Sequence, residues 1–94
     1  MDFKEFSSTI NNPGPPEKVT KELQALWLDA NNQWHEAHEL IQYLPGSKAA
    51  WVHAYLHRKE EDVANSDFWY ARAGKNVPRC DFEEEWEEIV KSML

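Results

Sequence analysis

Four histidines, His35, His38, His53 and His57, are the side chains of this sequence best suited to chemistry. His53 and His57 stand four residues apart, which places two imidazoles on one face of a helix where they can share one metal ion. His35 and His38 stand three apart upstream, and Glu60, Glu61 and Asp62 follow just beyond His57. Three nitrogen ligands, His38, His53 and His57, drawn from two neighbouring helices would make a site of the kind built between the helices of bundles. The chain contains neither Glu-x-x-His nor His-Glu-x-x-His. In His35-Glu36-Ala37-His38 the histidines are one residue too close for the zinc-protease pattern.

Packing accounts for the same spacing in another way. His53 and His57 are flanked by alanines and aromatics, and a buried imidazole ordinarily satisfies itself on a carbonyl, carboxylate or hydroxyl. Proton transfer by His57 beside Glu60 or Glu61 lacks an identifiable nucleophile, so no catalytic constellation and no enzyme is expected. No cofactor is expected either.

The remaining candidates are fewer. Five tryptophans are core by their helical spacing, except that Trp51 opens its helix and is placed with Tyr55 and Arg58 on the rim of an interaction face. Arg58 and Arg72 are expected to pair with Glu60, Glu61 or Asp67 at the surface. Cys80 precedes a helix N-terminus, which lowers a thiol pKa, but Asp81, Glu83 and Glu84 oppose that shift, so it reads as an ordinary thiol. The acids of the last helix read as a solvated face.

The elements that must position these residues follow from the order of the chain. Residues 1–15 show no helical or strand period, and the Asn-Pro-Gly-Pro-Pro region over 11–16 forbids regular structure. They read as an irregular arm in which Phe3, Phe6 and Ile10 lie across the helical body or fray. A helix is predicted from Pro16 to Ala30 through Val19, Leu23, Leu26 and Trp27. Asn31-Asn32 then breaks the chain and caps a second helix that carries Trp34, Ala37, His38, Ile41 and Leu44 and stops at Pro45-Gly46. Ser47 is the expected N-cap of a third helix running to about Glu60. Its apolar residues cover more than half its circumference, which predicts contact on two sides and a central position. Asp62 caps a fourth helix that ends at Gly74. Asp81 and Glu84 form a capping box for a fifth, whose stripe is Phe82, Trp86, Ile89, Val90 and Met93.

An offset of 29 residues lays the first predicted hairpin on the second. Leu23 falls on Val52, Trp27 on Leu56, Trp34 on Val63 and Ile41 on Tyr70, a degenerate repeat in size and polarity. The run Glu61-Asp62-Val63-Ala64-Asn65-Ser66 followed by Trp69-Tyr70-Ala71-Arg72-Ala73-Gly74 resembles the second half of a tetratricopeptide or Sel1-type repeat, a likeness that covers 47–74. There a small residue, an aromatic four later and an alanine three later let one helix nest on the other. Ser66, Tyr70 and Ala73 match, as does Ala54 on the partner helix. His53 and His57 stand where that repeat has large apolar residues, and Glu61 replaces its glycine. The wider set Trp34-x-x-Ala37-His38, Trp51-x-His53-Ala54-x-Leu56-His57-Arg58-x-Glu60 and Trp69-Tyr70-x-x-Ala73-Gly74 resembles a group of small bacterial proteins of unassigned function over roughly 23–74. That likeness implies a bacterial origin and no particular activity.

Composition sets the outer limits. Ninety-four residues, 41% hydrophobic and 29% charged, suit one globular domain. A net charge of −7 argues against nucleic acid and against anionic membrane surfaces as partners. One cysteine leaves no internal disulfide, and no apolar run approaches a membrane span, so a cytoplasmic protein is expected. The expectation is therefore all-α: an arm over 1–15, then one helical domain over 16–94 made of two stacked antiparallel hairpins and a C-terminal amphipathic capping helix. A protein–protein interaction or scaffold module with an unidentified protein partner is the leading function. A metal- or small-ligand-binding protein centred on His38, His53 and His57 is the alternative. The apolar end at the first helix leaves a homodimer open.

Overall fold

In the computed structural model, which describes residues 1–94, six helices and no strands make up the regular structure. They are α1 (Phe3–Ser8), α2 (Lys21–Ala30), α3 (Trp34–Ile41), α4 (Ser47–Lys59), α5 (Val63–Ala73) and α6 (Phe82–Met93). None is long and apolar enough to cross a membrane.

The all-α architecture expected from the periodicity is present, and α4 is its centre. Every residue from Ala49 to Leu56 is buried, and the helix packs against α2, α3, α5 and α6. Its alanines at 49, 50 and 54 allow the neighbours to approach closely. α2 with α3 and α4 with α5 each form a packed pair joined by three residues. On α5 the buried face is Ser66, Tyr70 and Ala73. α6 closes the body against α4 and α2.

The two reversals follow one backbone path. Asn32 and Glu61, 29 residues apart, both lie at positive φ, 62° and 59°. In the first, the amides of residues 31, 32 and 33 donate to the carbonyls of 28, 29 and 28; in the second, those of 60, 61 and 62 donate to 57, 58 and 57. Asparagine tolerates this left-handed conformation, whereas glutamate occupies it at some cost.

Several boundaries differ from those predicted. Residues 1–15 are not irregular throughout, because Phe3–Ser8 form a helix with a reciprocal capping box between Asp2 and Glu5. Phe6 is fully buried, within 6.0 Å of Trp86, and the Trp27 indole N–H donates 2.9 Å to the carbonyl of Thr9. α1 packs on α6, and the residues just after it are tied to α2 through Trp27. α2 itself starts at Lys21 under a Thr20 cap, not at Pro16, since Lys18 sits at φ 65° and interrupts any helix begun there. Gln33, not Asn32, is the N-cap of α3, without a side-chain bond, and α3 ends at Ile41 rather than at Leu44. Gly46 occupies the N-cap of α4 and Ser47 is its first helical residue. The caps at Asp62 and Asp81 and the left-handed Gly74 at the end of α5 stand as predicted, although the Glu84 side chain does not close the expected box on the Asp81 amide.

Candidate metal centre

α3 contributes His38. Trp34, one turn earlier, stacks on the His38 ring at 5.0 Å and 8°, and its indole N–H donates 2.9 Å to the Leu56 carbonyl. One tryptophan thus docks α3 on α4 and backs the histidine. α4 contributes His53 and His57, whose rings stack at 4.9 Å and 26°. From α5, Trp69 lies on the other face of His53 at 4.0 Å and 21°. His38, His53 and His57 therefore meet where three helices come together, while His35 is exposed, its ring edge-on to Trp34 at 5.6 Å, and lies outside the trio.

The geometry at the meeting point is close. Nε2 of His38 and Nε2 of His53 are 3.1 Å apart. One ligand atom from each of the three histidines can be chosen so that all lie within 4.8 Å of one another. Two imidazole nitrogens on a tetrahedral zinc-class ion stand about 3.3 Å apart, so the first pair is already spaced to share either one proton or one ion. His53 is 5% exposed, while the His57 side chain, at 12%, leaves the trio open toward solvent on one side.

Burial favours the unprotonated state of His53 and His38. Burial, then His57 and His38, push His53 down to about 4. Burial and His57 also lower His38, against the opposing fields of Glu60 and Glu39. Near neutral pH these two imidazoles are neutral, and an incoming cation displaces only the one proton shared between their Nε2 atoms. His57 Nδ1 is buried and makes no hydrogen bond; the nearest carboxylate oxygen, Oδ2 of Asp62, is 3.8 Å away. Donors on Asn65, and to a smaller degree His57, hold Asp62 below the usual carboxylate range.

A second polar cluster lies toward α6, and its residues depart furthest from expectation. Glu85, placed by the sequence on a solvated face, is 1% exposed. Its Oε1 accepts from Arg58 Nη1 at 2.8 Å, and its Oε2 accepts from the Tyr70 hydroxyl at 2.6 Å and from Trp51 Nε1 at 3.2 Å. Arg58 Nη2 also donates to the Cys80 carbonyl. Trp51, Tyr55 and Arg58 do not form an interaction face: Trp51 and Tyr55 are buried, and Arg58 is held inward by Glu85 instead of pairing with Glu60, Glu61 or Asp67. Arg72 is likewise unpaired with those acids and stands over the rings of Phe68 and Trp69. Every polar tip around Glu85 is satisfied, so this cluster fixes register and offers nothing to a ligand. The Cys80 thiol is pushed up by desolvation and by Glu84 and Glu85, in line with an ordinary thiol.

Glu85 was findable. It lies four residues before Ile89 on the apolar stripe of α6, and a carboxylate there answers the polar tips of Trp, Tyr and Arg. The stacking of Trp34 and Trp69 about the histidines had no comparable signal, because it depends on how three helices meet. No protein-family model, no curated protein and no solved structure matches the chain.

Proposed function

We propose that this is a metal-binding helical protein whose ion, a late first-row divalent cation of the zinc class, is held by His38, His53 and His57. The observation that carries this reading is the convergence of three imidazoles from two helices, two of them already at the spacing of ligands on one ion. All-nitrogen donors favour zinc, nickel, cobalt or copper over magnesium or calcium, which take oxygen ligands. Three protein ligands leave a fourth position for water or an exogenous group. In a domain this small an ion joining α3 to α4 also acts as a staple.

The test is thermal unfolding of the metal-stripped protein with increasing zinc or cobalt, with stoichiometry by atomic absorption. An ion that binds only the folded state raises stability by about 2.7 kcal/mol at a hundredfold excess over its Kd. One ion per chain and a concentration-dependent rise in melting temperature are expected, lost in His53→Ala and in His57→Ala. An unchanged melting temperature with wild type sinks the reading.

A second reading, the interaction module, moves to a different surface. Tyr43 is 87% exposed and Phe68 51%. Arg72 stacks over Phe68 and Trp69, and Tyr43, Trp69 and Arg72 line one 410 Å³ cleft. These residue types supply most interface hot spots. Tyr43→Ala and Phe68→Ala should abolish capture of any partner while leaving the fold intact; capture unchanged in both rejects this surface.

A further inference from the structure

His57 is the loose end of the trio. Its Nδ1 is buried yet unpaired, and a buried imidazole nitrogen without a partner is costly. Asp62 Oδ2 stands 3.8 Å from it, less than an ångström beyond hydrogen-bond reach. Asp62 opens α5, where its Oδ1 caps the Asn65 amide at 3.4 Å and its Oδ2 accepts from Asn65 Nδ2 at 2.8 Å. That oxygen has a further lone pair to offer, and it lies on the side of His57 that carries Nδ1. With Nδ1 toward Asp62, Nε2 is the nitrogen left to face an ion.

Resting on the metal reading above, the geometry points to Asp62 as the outer carboxylate that fixes His57 in the loaded site. A histidine bound to metal through one nitrogen must carry its proton on the other, and that N–H almost always goes to a carboxylate, carbonyl or water. Loading the site therefore turns Nδ1 from an unpaired atom into an obligate donor facing Asp62, and a small rotation of the ring closes the gap. Asp62 is a positioning residue and not a ligand, since the three histidines alone make up the convergent set. The arrangement also ties the α4–α5 reversal to the ion, so that α3, α4 and the start of α5 are gathered around one point.

The experiment is a cobalt(II) titration of the metal-stripped protein followed by visible absorption, with wild type, Asp62→Ser and Asp62→Asn. Serine caps a helix about as well as aspartate but is too short to reach His57. Asparagine keeps both the cap and an oxygen acceptor while losing the charge. Asp62→Ser should weaken cobalt binding about 10- to 100-fold, with Asp62→Asn between it and wild type and the circular dichroism of all three apo proteins alike. In zinc-loaded wild type the His57 Nδ1 proton should give a slowly exchanging downfield NMR signal that is missing from Asp62→Ser, a change that loss of a helix cap does not produce. Equal cobalt affinity in wild type and Asp62→Ser overturns the role of Asp62 and leaves the metal reading standing. A wild type that takes up no cobalt overturns both.

Discussion

The α2/α3 and α4/α5 hairpins turn in the same way and are filled in different ways. Their reversals share a positive-φ residue and the same three hydrogen bonds at a spacing of 29 residues, yet Gln24 and Leu28 of the first stand where the second has His53 and His57. The difference follows from what each must touch. α2 is only half-buried at Glu22, Gln24 and Leu28, and its one buried acid, Asp29, meets the half-exposed Lys59 of α4 at 3.0 Å. α4 is covered by neighbours from Ala49 to Leu56, so its inward polar side chains meet protein groups: Arg58 meets Glu85, and His53 meets His38 and Trp69, with His57 Nδ1 left unpaired. A shared backbone path thus leaves the chemistry of a hairpin to its surroundings.

The largest test of this contrast compares the two buried acids. Glu85→Ala strands the Arg58 guanidinium and two further donors in the interior and should lower the unfolding free energy by about 3–5 kcal/mol. Asp29→Ala should cost less, about 1–3 kcal/mol, because Lys59 is 31% exposed and regains water. Urea denaturation of both variants decides; equal losses would erase the distinction between the hairpins.

A pH series comes next. The folded-state value of His53, about 4, lies below its unfolded value of about 6.5, so the unfolded chain takes up the proton first as pH falls. Stability is full above about 6.5 and declines toward about 4, by roughly 3 kcal/mol, and His38 acts in the same direction. His53→Leu should flatten that slope in chemical denaturation of the metal-free protein. An unchanged slope would place the proton uptake elsewhere.

His57→Leu gives the second hairpin the residue that the first has at the corresponding position. It removes the unpaired Nδ1, so metal-free stability should stay within about 1 kcal/mol while the melting-temperature response to zinc disappears. The smallest effect belongs to the turns. Glu61→Asn installs in the second reversal the residue of the first and should stabilise by about 0.5 kcal/mol; a loss would show that the two reversals are not equivalent.

Local signals carried much of the fold. Asp62, Gly74 and Asp81 set helix ends through bonds within four residues of themselves, and such signals survive in any context. The same logic applied to Asp2 and Glu5 identifies α1, whose six residues are too few for a hydrophobic period to show. The meeting of His53 and His57 follows from their spacing on one helix, whereas the arrival of His38 depends on how α3 docks, which Trp34 settles through a bond to a carbonyl 22 residues away. Trp51, Tyr55 and Arg58 were misplaced for a similar reason. Trp51 and Arg58 turn inward on Glu85, 34 and 27 residues downstream, and Tyr55 turns to Asp29 of α2, so nothing near them in the sequence marks them as interior.

Ala49 to Leu56, buried without a break, divide the domain by rate as well as by place. Their amides should exchange with deuterium only through global opening, which makes α4 the slowest segment. α3 spans about two turns and has no side-chain cap, so it should lift away by local opening before α4 does. A cation shared between them would have its residence time set by that lift: His38 lets go first, and His53 stays in place until the protein unfolds.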